Sequence, residues 1–300
     1  TASSDLLVDG YTLELSKSAK WSTVRVLNGG VLAMVAAADS ATRGLTITAD
    51  EIEVDASSRI DVSGKGRLGT TAIGSYTGGS HGGRGGVHSS PTNLSYGDFR
   101  EPTDLGTGGR YYSNDFTRGG GALELRAKLL KLEGRILANG QAQNDYGSGS
   151  GGSLLLRVDA LELGVNAQIQ ANGGGTVDCC SYGGGGGGRV AIYYREADRT
   201  VLRRAVQARG GLSWSPQQGA ASTLYLNDLD RNEAELIVDN SGVDKARAAT
   251  TLLDLGDSGE LKGRLTVVNA NVELLGGKLS EVLLKDSQLT QTRDAQIDDL

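Results

Sequence analysis

GGALELRAKLLKLEGRILANG (residues 120–140), GGSLLLRVDALELGVNAQIQANG (151–173) and GGRVAIYYREADRTVLRRAVQARG (187–210) are three writings of one pattern. Each opens on small residues, alternates apolar with polar side chains, and closes on A-N-G or A-R-G before a glycine-rich excursion. A variant copy, GLTITADEIEVDASSRIDVSG, lies at residues 44–64. The opening glycine pairs at Gly120, Gly151 and Gly187 are 31 and 36 residues apart, and the closing glycines at Gly140, Gly173 and Gly210 are 33 and 37 apart. A unit that recurs in this way marks a stacked, repetitive architecture rather than one globular core. Period-two alternation is the strand signal, and no long amphipathic helix is visible. The expected class is therefore all-β, a stack of coils with long glycine-rich corner loops projecting from one face.

Working outward, glycine is the most uneven residue. Of 46 in the 300-residue chain, 4 precede residue 61, 35 fall between 64 and 211, and 7 follow. Glycine allows the positive φ of tight corners, so the middle half reads as strands that turn repeatedly. An apolar content of 38% is too high for a disordered chain. The net charge of −6, with no block of like charge, argues against nucleic acid as partner. No apolar run is long enough for membrane insertion. The chain starts at Thr1 and ends mid-pattern, so it is expected to be a fragment of a larger protein.

Four regions follow: N-terminal coils at 1–63, an inserted glycine-rich loop region at 64–119, central glycine-rich coils at 120–211, and shorter coils at 212–300. Alanine-dense VLAMVAAADSA (31–41) leaves a helix open as an alternative to strand. Residues 64–121 hold 17 glycines and both histidines. Long loops of this kind are usually functional or disordered, so deleting 64–119 is expected to leave β-type circular dichroism and cooperative melting intact. Asn139 and Asn172 occupy equivalent places and are expected to stack as an amide ladder. READRTVLRRAVQARGG (195–211) reads as a solvated strand face with ion pairs across strands.

The ordered succession SSRIDVSGKGRLG, GGSHGGRGG, YGDFREPTDLGTGG, GGALELRAKLLKLEGRILANG, GSGSGGSLLLRVDALELGVNAQIQANGG, GGGGGGRVAIYY, AASTLYLND and ELIVDNSG resembles a glycine-rich repeat module. That module recurs in very large secreted or surface proteins of bacteria, including adhesin-like proteins and the flanks of RHS/YD-repeat proteins. The resemblance covers residues 6–242. It implies a parallel β-helix-like solenoid in an extracellular or cell-surface setting, and it carries over no catalytic residue.

Recognition is expected in the 64–119 insertion. His81, Tyr96, Asp98, Asp104, Arg110, Tyr111, Tyr112 and Asp115 combine aromatic faces, carboxylates and a guanidinium, the ingredients of sugar binding and also of paired-carboxylate hydrolysis. The competing reading is that the tyrosines anchor the loop and the charges face water. His81 and His88, seven apart in a flexible loop, lack a third metal ligand. Asp228, Asp230 and Asn232 mimic the start of a calcium loop, but Glu233 stands where that loop needs glycine, so a polar turn is preferred and calcium remains the alternative. Glycines 183–188 fit a dinucleotide fingerprint only formally, because they precede a strand and no helix follows. Adjacent Cys179 and Cys180 form no metal or redox motif. The expected function is a non-catalytic structural and binding module that contacts polysaccharide, a cell-surface partner or neighbouring domains of its parent chain. A polysaccharide lyase or glycoside hydrolase working in a groove is the alternative.

Overall fold

The computed structural model describes residues 4–38, 42–88, 91–112, 116–143, 147–175, 182–213, 218–256, 259–291 and 296–299. Their strands form sheets of 13, six and three strands. In the largest, Leu6–Asp9, Thr23–Leu27, Leu45–Val54, Ala122–Leu132, Ser153–Leu163, Arg189–Tyr194 and Thr223–Asp228 lie side by side, each parallel to the next. The six-stranded sheet joins Thr12–Leu15, Val31–Met34, Arg59–Asp61, Arg135–Leu137, Gln168–Gln170 and Val206–Gln207, also in parallel.

Register explains the core. Leu45, Leu123, Leu154, Val190 and Leu224 align across five strands, and Ile47, Leu125, Leu156, Ile192 and Leu226 form the next row. From the smaller sheet come Leu32, Ile60, Ile136, Ile169 and Val206. All belong to one buried cluster. Each such side chain contributes about 1.5–3 kcal/mol by leaving water, so the aligned aliphatic rows dominate the stabilising terms.

The uniform parallel solenoid does not form, because the principal sheet is mixed. Thr223–Asp228 pairs antiparallel with Glu233–Asp239 across a tight turn that holds Asn232 at φ 52°. The strands beyond it, Glu260–Val268 and Lys278–Lys285, run parallel to Glu233–Asp239 and so oppose the first block. The reversal also exchanges faces. Leu236 and Val238 align with Leu265 and Val267 in a second buried cluster, on the side of the sheet that carries Leu155, Ala191 and Tyr225. The central strands are thus covered on both faces, which accounts for the unbroken apolar runs SLLL and VAI.

Nor do the glycines project as corner loops. Residues 183–188 are buried nearly throughout and belong to no strand until Arg189. The amide of Gly185 donates to Gly174, and its carbonyl accepts from Gly211. The Gly186 amide donates to Gly79 while its carbonyl accepts from Gly151, and the Gly187 amide donates to Ala220 while its carbonyl accepts from Gly83. A Cβ on Gly185 would lie 1.9 Å from the Gly149 oxygen, and one on Gly219 would lie 1.9 Å from the Gly185 oxygen. Segments from five parts of the chain, 79–83, 149–151, 174, 185–187 and 211 with 219–220, therefore meet backbone to backbone at a spacing that no side chain can enter. Residues 64–119 are woven into this lattice through bonds from Gly79 to Ser148, Gly83 to Gly187, Gly86 to Gly184 and Gly106 to Gly120. These bonds make the segment part of the packed interior rather than a loop projecting from it.

Within the Arg-rich segment, Arg199–Ala205 is a short α-helix; Asp198 caps it by accepting from the amides of Thr200 and Val201, and Leu202 and Ala205 are buried beneath it. The expected ion pairs across strands are instead made from this helix to the strand Glu233–Asp239, Arg203 with Glu235 at 2.7 Å and Arg199 with Glu233 at 3.1 Å. VLAM is a strand, Val31–Met34. The amide ladder forms: Asn139 Oδ1 accepts from the Asn172 amide and Asn172 Oδ1 from the Arg209 amide, both at 2.8 Å.

Candidate functional site

The insertion residues singled out in the sequence fall into two groups. In the first, His81 and Tyr96 have ring centroids 4.8 Å apart. Tyr96 Oη donates to the Leu105 carbonyl at 2.6 Å and lies 2.7 Å from Thr107 Oγ1, and burial pushes its phenol up to about 12. Asp98 Oδ1 accepts from the amides of Arg100 and Glu101, holding a turn. Asp104 contributes charge to this neighbourhood, and its carbonyl accepts from Ser153 Oγ. Arg189 was not foreseen. It enters from the strand beneath, donating from Nε to the Tyr96 carbonyl and from Nη1 to Thr223 Oγ1.

His81 is fully buried. Its Nδ1 stands 3.0 Å from the Gly151 carbonyl, which assigns the proton to Nδ1 and leaves Nε2 a buried acceptor with no hydrogen-bond donor. Burial first, then the nearby charge of Arg189 and of Arg67, lower its pKa to about 3. The sign follows from linkage. The unfolded chain binds a proton near pH 6.5 and the native chain does not, so stability is full above that value and falls as the pH drops toward 3. The expected slope is about 1.4 kcal/mol per pH unit in that window. Urea unfolding of wild type and His81→Gln at several pH values checks it, since the variant should lose most of the slope.

The second group is aromatic and faces outward. Tyr76 stacks on Tyr182 with centroids 4.8 Å apart and 14° between planes, and Tyr112 lies at 6.3 Å and 25° from it. Tyr111 and His88 meet the Tyr76 ring edge-on at 5.3 and 5.4 Å. Tyr112 is 71% exposed and His88 is exposed. Desolvation by the surrounding rings, then Tyr111, raises the Tyr76 phenol above its ordinary value. Tyr76 also holds φ 61°, a conformation that favours glycine, in a segment where glycine is abundant. Keeping a bulky ring there costs on the order of 1–2 kcal/mol.

No protein-family model, curated protein or solved structure matches this chain. Arg110 belongs to neither group: its Nη1 donates to the carbonyls of Thr71 and Ile73 and pins that turn. Asp115, Cys179 and Cys180 lie outside the described residues. The calcium-like carboxylates sit in the hairpin turn, where Asp230 pairs with Arg195 at 2.7 Å and Asp228 accepts from the Arg231 amide; Asn232 supplies the left-handed turn residue. Among the described residues no three His, Cys, Asp or Glu side chains gather as a metal site, and no helix is long and apolar enough to cross a membrane. Glycines 183–188 hold other backbone, which leaves no phosphate cradle.

Tyr76, Tyr182 and His88 join Tyr111 and Tyr112 although they come from separate stretches of the sequence. Glycine between them is the only local signal, because the backbone lattice is what gathers them.

Proposed function

We propose that this chain is a non-catalytic binding module of a larger extracellular or cell-surface protein, a stiff glycine-packed carrier that presents an aromatic face to carbohydrate. The observation that carries this reading is the exposed cluster around Tyr76. Aromatic rings offer broad, rigid apolar faces with hydroxyls at the rim, suited to ligands that are apolar on one side and wet on the other. Tyr112 and His88 are exposed and the other three rings half-buried, and exposed aromatic surface of this kind suits an interaction site. The backbone strain at Tyr76 supports the same reading, since the fold alone would be better served there by glycine.

A glycan array followed by calorimetry on the best ligand tests the proposal. Tyr112→Ala, at an exposed position, is expected to weaken binding tenfold or more while leaving the melting temperature within a few degrees. Tyr76→Gly relieves the left-handed strain as it deletes the central ring, so binding should vanish from a protein that still folds. Glycan binding unaffected by both substitutions would sink the proposal, and so would release of new chain ends from the bound polysaccharide.

A further inference from the structure

A second, separate cavity lies between residues 95–100 and the segment formed by Thr251–Leu253 and its following turn. Its volume is about 520 Å³, within the usual size of small-molecule sites. Arg189 stands in it and is only 7% exposed. In the aligned row across the sheet its neighbours are Ala122, Ser153 and Thr223, so the fold asks for a small residue at this register and receives a guanidinium.

That guanidinium has no ion-pair partner among the described residues. Its two hydrogen bonds go to uncharged oxygens, and Asp98 and Asp104 act on it only through space. A buried charge without a partner is strongly unfavourable. Ser95 Oγ, lining the same cavity, is likewise buried with no hydrogen-bond partner. Phe99, Leu253 and Leu255, all buried, and Leu252 and Leu275 give the cavity an apolar side, while Arg100 also lines it, its guanidinium 4.3 Å over the Phe99 ring and donating to the Glu260 carbonyl. At the rim, Asp98 Oδ1 and Asp254 Oδ1 are turned to backbone amides.

We propose that this cavity binds an organic monocarboxylate with an apolar body, its carboxylate seated on Arg189 and Ser95 and its body against Phe99, Leu253 and Leu255. Arginine matches a carboxylate in shape and charge. Around Arg189 the lining carries two carboxylates, Asp98 and Asp254, against one further guanidinium, Arg100, and this net negative surround disfavours a dianion such as phosphate relative to a monocarboxylate. The site is independent of the aromatic face, so either can fail without the other.

The test is a titration of the isotope-labelled chain, followed by amide resonances, with 4-methylpentanoate and phenylacetate as probes. Their uncharged amides and inorganic phosphate are the comparators. Saturable shifts centred on residues 95–100 and 252–256 are expected for the acids, at least tenfold tighter than for amides or phosphate. Arg189→Gln should abolish them. Should that variant not fold, Ser95→Ala and Leu252→Glu decide without touching the buried charge, the first weakening the acids threefold or more and the second tenfold. No saturable shift up to about 10 mM, well beyond the affinity expected of a seated carboxylate, would overturn the proposal. Equal binding of acid and amide, equal binding of phosphate, or affinity unchanged in both fallback variants would do the same.

Discussion

Gly185→Ala will melt roughly 10 °C or more below wild type, if it folds at all. The added methyl would lie 1.9 Å from the Gly149 oxygen, against backbone rather than a movable side chain. Making room means displacing segments that carry the bonds Gly185 to Gly174, Gly211 to Gly185 and Gly174 to Gly149. Overpacking of a well-packed core costs about 1–3 kcal/mol, occasionally more, and here the strain adds to hydrogen bonds that lose their partners. At about 2–4 °C per kcal/mol for a chain of this size, the shift is large. Gly164→Ala is the control. Its nearest contacts, at 3.1 to 3.4 Å, are atoms of Glu133, so its effect should stay within about 1 kcal/mol. Scanning calorimetry of both variants distinguishes a close-packed glycine interior from glycine-rich loops.

Removing residues 64–119 will abolish cooperative folding. The segment supplies Phe99 and Leu105, 4% and 1% exposed, and Phe99 covers Leu155, Ala191 and Tyr225 on the second face of the central strands. It also supplies the partners of Gly183, Gly184, Gly186 and Gly187, at Tyr76, Gly86, Gly79 and Gly83. Its loss would leave buried backbone groups unpaired, each at about 1–3 kcal/mol, against a total stability of about 5–15 kcal/mol. Far-ultraviolet dichroism and a thermal melt of the deletion read this directly: a broad, non-cooperative transition is expected, and a sharp native-like melt would contradict it.

Strand existence and the asparagine ladder were legible because both depend on side chains at fixed spacing. Leu123, Leu154 and Val190 announce their row through equivalent places in each repeat, as Asn139 and Asn172 announce theirs. The reversal was not legible. Its turn, LDRN between two apolar runs, carries the same Asp and Asn residues that a cation loop would use, and the faces exchanged by Leu236 and Val238 depend on direction rather than composition. The helix at Arg199–Ala205 was hidden because Asp198, its cap, sat among charges that read equally well as an exposed strand. Glycine was the deepest obstacle. It has no side chain whose periodicity could reveal burial, so residues 183–188 look the same in a projecting loop and in a lattice. For the same reason the meeting of Tyr76, Tyr111, Tyr112 and Tyr182 was only half visible, and Arg189, the first residue after the glycine run, passed for an ordinary strand start.

Native-state hydrogen exchange at the glycine amides of residues 183–188, together with Gly79, Gly151 and Gly211, bears most directly on the backbone lattice. Amides bonded inside a close-packed core open only with global unfolding. The expected protection is within about tenfold of the slowest strand amides, such as Leu125 and Ile192, because the same cooperative opening governs both. Exchange of these glycines at the rate of an unstructured chain, while the strands stay protected, would contradict the account.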